Sequence, residues 1–297
     1  MKSTPITIFV LISFLFILSC SSPQPIPLVP QQELTVAATF YPLYDLTKSI
    51  VGDKGTVYSI VPAGVEPHEY EPNPSDLQKL SDADVFVTMG IEFAEFEKEL
   101  GEVHPTAEII AASTGISLLK AEDEHATNDP HIWLSPKNAQ KMALNIMTGI
   151  AEADPQQKEY YLRQGQQLID DLNALDMEFK ESLASCTKEV ILVNHNSFSY
   201  LARDYGFKTI AISGLEPEAE PTPQQLAELV TEAKKHSIKY VFYEDLIDPR
   251  VAKTIAEEVG AETLKLDPLE GSADPSATYT SLMRKNLLAL QLALECS

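Results

Sequence analysis

Residues 34–61 read L-T-V-A-A-T-F-Y-P-L-Y-D-L-T-K-S-I-V-G-D-K-G-T-V-Y-S-I-V, and the fold is decided there. Leu34 to Phe40 is a β-branched and small apolar run ending at Tyr41-Pro42, which predicts a strand. Leu43, Leu46, Ile50 and Val51 then recur at helical spacing up to Gly52, which marks an amphipathic helix and its stop. Thr56 to Val61 is the next strand. Strand, helix and strand in succession make the unit of a parallel sheet, because parallel neighbours need a crossover.

Downstream the unit recurs. Pro74-Ser75-Asp76-Leu77 starts a helix through Leu80, and Asp84 to Met89 is a third strand with Gly90 behind it. Phe93, Phe96 and Leu100 follow at helical spacing, and Glu108 to Ala112 is a fourth strand. The second half repeats this outline. Glu189 to Asn194 is a strand entering His195, Phe198 to Tyr205 a helix closed by Gly206, and Phe207 to Ile212 a strand. Thr222-Pro223 opens a helix, Tyr240 to Tyr243 is a strand, Pro249 to Val259 a helix ended by Gly260, and Thr263 to Leu266 a strand ending at Asp267-Pro268. A last helix runs from about Ser276 to Leu292.

Between the halves the pattern is helical from Lys137 to Ile150, stops at Asp154-Pro155 and restarts. Tyr161, Gly165, Leu168, Leu172, Leu175, Phe179 and Leu183 keep 4-and-3 spacing, which predicts one rigid helix of roughly 45 Å at ~1.5 Å per residue. A chain of 297 residues is better divided into two cores than packed around one. The expected fold class is therefore α/β: two α/β lobes with mainly parallel sheets, joined by one long rigid helix. The boundaries read as 33–154 for the first lobe, 155–185 for the linking helix and 186–297 for the second lobe. The seam of that helix is too short for a coiled coil, so a monomer is expected.

Ahead of the folded part, Met1 to Cys20 carries Lys2, an apolar run from Ile6 to Leu18 and the box I-L-S-C. That is a secretory signal whose terminal Cys20 suits lipid attachment, with anchoring to a membrane from outside the cytoplasm. Residues 21–32, rich in Pro, Gln and Ser, read as a tether. With Cys20 set aside, Cys186 and Cys296 form an even pair in an oxidising compartment, so a disulfide between them is expected. The formal net charge of −22 argues against a nucleic-acid partner and suits a protein that attracts cations.

The stretch 61–75, V-P-A-G-V-E-P-H-E-Y-E-P-N-P-S, leaves the second strand with four prolines and a glycine. Those residues forbid regular structure, so His68 is displayed on a rigid loop. Three further segments offer it partners: N-D-P-H-I-W with His131, I-L-V-N-H-N with His195, and L-K-L-D-P with Asp267. In open parallel sheets, ligands bind beyond the carboxyl ends of strands, where all four residues fall or lead. Three imidazoles and one carboxylate suit Zn²⁺ and can hold Mn²⁺ or Fe²⁺. A hydrolytic zinc centre is disfavoured, because no H-E-x-x-H occurs and a fourth protein ligand would close the site. No enzymatic activity is expected.

The segments G-V-E-P-H-E-Y-E-P-N-P-S-D-L, D-P-H-I-W-L-S-P, N-H-N-S-F-S-Y-L-A-R-D-Y-G and L-D-P-L resemble those of the ZnuA/TroA-like metal-binding proteins of ABC importers, the cluster A-I solute-binding proteins. The resemblance covers the chain beyond the tether. It implies a metal held between two lobes and delivered to an ABC permease, with Zn²⁺ the first expectation and Mn²⁺ or Fe²⁺ the alternative. A surface-adhesin role is known among such proteins and is the other alternative. By the resemblance His68, His131 and His195 are the first three ligands and Asp267 the fourth, with Glu66 and Glu69 as competitors for that place. Asn196 stands where an Asp is common, and the polar loop Ala121 to Asp129 is far shorter than the His-rich loop of many zinc-type members.

Overall fold

The structure, a computed structural model, describes residues 33–91, 93, 96–97, 100, 107–121, 127–217 and 221–297. The expected signal, Cys20 and the tether lie outside the described residues, as do most of the helix expected around Phe96 and the middle of the 121–129 loop. Residues 33–297 form one compact unit.

The first sheet contains β1 (Leu34–Ala38), β2 (Gly55–Ser59), β3 (Val85–Thr88) and β4 (Glu108–Ala111), in the order β2-β1-β3-β4. The second contains β5 (Val190–His195), β6 (Lys208–Ser213), β7 (Tyr240–Tyr243) and β8 (Glu262–Lys265), in the order β6-β5-β7-β8. Every pairing is parallel, with Val36 opposite Val57 and Val85, and Leu192 opposite Ile210 and Val241. Each sheet thus starts at an inner strand, winds outward and returns past it. That reversal opens a crevice at the carboxyl ends of β1 and β3, and another at β5 and β7.

Helices cross between the strands: α1 (Tyr41–Val51), α2 (Pro74–Ser81), α3 (Pro136–Ala153), α4 (Lys158–Ser182), α5 (Ser199–Tyr205), α6 (Pro223–Lys235), α7 (Arg250–Val259) and α8 (Tyr279–Ala293). Local chemistry fixes their starts. Asn73 and Asp76 form a capping box on α2, and Thr222 and Gln225 form one on α6. Gly206 and Gly260, at φ +81° and +70°, close α5 and α7 in the left-handed conformation that glycine adopts without penalty.

The long helix α4 begins at Lys158 and not at Pro155. Asp154 accepts from the amide of Gln156, and its carbonyl accepts from Gln157, so Pro155 sits in a turn between α3 and α4. Its 25 residues span about 37 Å instead of 45 Å. Tyr160 at one end lies against the turn after α1, with the amide of Asp53 3.5 Å from its hydroxyl. At the other end Asp176 accepts from Tyr205, and Glu178 pairs with Arg284 of α8 through two bonds of 2.8 and 2.9 Å. One buried apolar cluster runs from Val36 and Phe86 through Trp133 and Phe179 to Val193 and Leu290, so both sheets share a continuous core. Across the end of the chain the sulfurs of Cys186 and Cys296 lie 2.00 Å apart, at bonding distance.

Candidate metal centre

His195 is the last residue of β5, at the carboxyl end of the sheet beside β7. Its Nδ1 lies 2.9 and 3.0 Å from the two carboxylate oxygens of Glu244, the residue after β7. His131 sits on the turn before a 3₁₀ segment (Ile132–Leu134). Its Nδ1 and its amide both lie 2.9 Å from Oδ1 of Asp129, while Tyr200 donates to the Asp129 carbonyl. In the neutral imidazole a carboxylate on Nδ1 keeps the proton on that nitrogen, so Nε2, which faces inward, is the atom free to bind a metal.

His68 stands on the proline-rich loop after β2. Turn bonds from Val65 to Pro62 and from Tyr70 to Pro67 order that loop, and Asp76 at the start of α2 accepts from both Tyr70 and Asn73. The ring packs edge-on to Phe93 at 4.9 Å. Its Nδ1 is buried and makes no hydrogen bond, and the carboxylate of Glu216, largely exposed, lies 3.6 Å from it.

The three Nε2 atoms converge on Glu270. From Oε1 of Glu270 the distances are 3.3 Å to His68, 3.5 Å to His131 and 3.3 Å to His195. Between imidazoles, His131 lies 3.4 Å from His68 and 3.3 Å from His195. All four side chains are at most 1% exposed. Among the described residues this is the group of His, Cys, Asp and Glu whose donor atoms could hold one metal ion.

The electrostatics are tightly coupled. Burial pulls both imidazolium pKa values down, yet Asp129 and Glu270 hold His131 above the usual range, and Glu244 and Glu270 hold His195 well above it. Burial would raise Glu270, but the charge on His195 and hydrogen bonds from all three imidazoles outweigh it, leaving that carboxyl well below its usual range. Glu244, equally buried, ends above its usual range because burial wins over His195.

Residues 36–293 match the model of the family described as ZnuA, zinc-uptake complex component A periplasmic. The chain belongs to the ZnuA family. It is 39% identical over 280 residues to the high-affinity zinc uptake system protein ZnuA of Bacillus subtilis, an alignment covering 87% of each chain. It is 34% identical to the zinc-binding lipoprotein AdcA of Streptococcus pneumoniae over 93% of its own length, but spans only 58% of that larger protein. The solved Zn(II)-bound ZnuA-like domain of that AdcA superposes with a TM-score of 0.78 at 35% identity, covering 89% of this chain and 99% of the domain.

In this ZnuA-family chain the structure brings Glu270, and not the expected Asp267, together with the three imidazoles. Asp267 lies outside the cluster. Its Oδ1 accepts from the amide of Leu269, and its Oδ2 lies 3.2 Å from Lys265. Glu270, three residues on, occupies the place instead. Asp267 directly follows the expected strand, whereas the Asp-Pro-Leu turn carries the next carboxylate inward. Glu66 and Glu69 are also outside the cluster. Glu66 accepts from the Glu69 amide through one oxygen, and its other oxygen is buried without a partner; Glu69 is exposed. Asp129 and Glu244 were not singled out in sequence. Asp129 is two residues from His131 in the quoted motif, but nothing marks Glu244 except its position after a strand.

Proposed function

We propose that this chain captures a divalent transition metal, Zn²⁺ before Mn²⁺ or Fe²⁺, between His68, His131, His195 and Glu270 and delivers it to an ABC permease. One observation carries the reading. Four donors each about 2.0–2.1 Å from a central ion stand about 3.3–3.4 Å apart along the edges of a tetrahedron. Five of the six donor separations run from 3.3 to 3.5 Å, and the sixth, between His68 and His195, lies with the rest inside 4.8 Å. Mn²⁺ favours six oxygen-rich ligands, which a buried four-donor cage of three nitrogens and one oxygen does not offer.

The cargo's charge fits as well. With neutral imidazoles, the carboxylates of Glu270, Asp129 and Glu244 face a 2+ ion, which offsets two of their three formal negative charges. Four protein donors leave no open position for an attacking water, which suits carriage over hydrolysis. A cavity of about 410 Å³ borders Glu270 beside Tyr41, Tyr44, Asp45 and Asp274.

In this reading the chain works outside the cytoplasm as a monomer, fastened to the membrane through Cys20 and the tether of residues 21–32. Residues 33–154 and 186–297 act as the two lobes, with 155–185 as the link between them. The names of its relatives support zinc as cargo. The test is elemental analysis of protein purified without chelator, followed by zinc titration of the parent and of Glu270→Gln. One zinc per chain, with weaker binding in the variant, is expected. A protein that neither carries zinc nor takes it up ends the proposal.

A further inference from the structure

Glu270 reaches the imidazoles on a segment whose backbone is costly for its sequence. Leu269 has φ +58°, the left-handed region, with its side chain fully buried. A residue with a Cβ is disfavoured there by roughly 1–2 kcal/mol. Two other non-glycine residues share that sign among those described, Ser237 and Glu295, and each follows the last turn of a helix, where a left-handed residue closes the carbonyls. Leu269 closes no helix. Its conformation is instead held by neighbours.

Four hydrogen bonds grip the segment. The Leu269 amide donates to Oδ1 of Asp267 at 2.9 Å. The Asp267 amide donates to Oδ1 of Asn286 at 2.8 Å, and Nδ2 of Asn286 returns a bond to the Asp267 carbonyl at 2.6 Å. From the other half of the molecule, Nε1 of Trp133 donates to the Pro268 carbonyl at 2.7 Å. Trp133 and Asn286 are buried, and Tyr279 donates to the Trp133 carbonyl at 2.6 Å. A strained residue next to a functional group persists where its surroundings over-determine it.

We infer that Asp267, Asn286 and Trp133 are positioning residues for metal capture, which hold Leu269 left-handed so that the Glu270 carboxylate stands in its ligand position before the ion arrives. The inference rests on Glu270 being a ligand, as proposed above. It gives Asp267 an indirect role: its hydrogen-bond acceptor is needed, and its charge is not. It also ties the two halves of the centre together, since Trp133 lies two residues after His131 and grips the chain two residues before Glu270.

The experiment compares zinc affinity, the visible spectrum of the Co²⁺-loaded protein and thermal stability in five forms: parent, Asp267→Asn, Asp267→Ala, Trp133→Phe and Glu270→Gln. Asp267→Asn keeps the acceptor for Leu269 and is expected within about threefold of the parent. Asp267→Ala and Trp133→Phe are expected to weaken zinc binding by about tenfold, the low end for outer-shell partners, and to change the Co²⁺ spectrum. The inference is overturned if Asp267→Ala and Trp133→Phe melt lower but keep the parent's affinity and spectrum, or if Asp267→Asn loses as much as Asp267→Ala. Should Asp267→Ala not fold, Trp133→Phe alone decides. If Glu270→Gln itself binds like the parent, the ligand assignment has failed; if it binds weakly while the other two do not, only the positioning role has.

Discussion

Nδ1 of His195 and the carboxylate of Glu244 meet at 2.9 and 3.0 Å with both side chains buried, so the charge behind the imidazole is as much a part of the centre as the donor atom in front. Replacing Glu244 by Gln keeps an acceptor for Nδ1–H and removes the charge that makes Nε2 a better donor. Zinc affinity should fall by about tenfold or more. A competition titration with a chromophoric chelator reads this directly, and an unchanged constant would leave Glu244 a purely structural role.

His68→Ala, His131→Ala and His195→Ala should each lower zinc affinity at least tenfold, equivalent to about 1.4 kcal/mol, while far-UV circular dichroism stays the same. The backbone of each is set by turns and strand pairing that do not use the imidazole. Any variant that titrates like the parent removes that residue from the ligand set.

Zinc binding should weaken as pH falls, because each imidazole must be neutral to bind. The sign follows from the metal-free protein. His131 and His195 have raised pKa values there, so protons already compete above the ordinary ~6.5, and loading near pH 7 should release protons. A competition series from pH 8.5 to 5.0, with proton release followed in weak buffer, tests both parts. An affinity flat across that window is incompatible with the three histidines as principal ligands.

Glu97 predicts a second pH effect, on stability. Its carboxyl is buried and accepts from the Met89 amide at 2.9 Å, and burial pushes its pKa up to about 7. A raised folded-state value means that its contribution to stability is fully present below the unfolded value of 4.5 and is lost as pH rises through about 7. Above that range the ionised group costs on the order of 3 kcal/mol. Glu97→Gln should therefore melt higher than the parent at pH 8 and match it near pH 4.5. Equal melting curves at pH 8 would show that Glu97 ionises without penalty.

Reduction of the Cys186–Cys296 pair opens a loop of sequence separation 110. In the chain-entropy model such a loop is worth about 5 kcal/mol, so the denaturation midpoint should drop on reduction while zinc affinity holds. Two alkylatable thiols in the unreduced, denatured protein would contradict the pairing.

Most of the fold was legible because its signals are local. Val36, Val57 and Leu192 sit in β-branched or aliphatic runs bounded by Gly or Pro, and Asn73, Thr222, Gly206 and Gly260 mark helix ends by their own chemistry. The start of α4 differs from the sequence expectation because Asp154-Pro155 suits a helix start and a turn equally well. His68, His131 and His195 stood out because proline or a strand end fixes each. Glu270 was hidden behind a left-handed leucine, a conformation with no sequence signature, and it is held by Trp133 and Asn286 from distant parts of the chain. Glu244 was invisible because its meaning depends on β7 lying beside β5.

The apolar core runs unbroken from one sheet to the other, with α4 packed along it, and ties the two halves of this carrier together. Separating the two sheets would expose that shared apolar surface to water, so the molecule carries its own restoring force against wide opening.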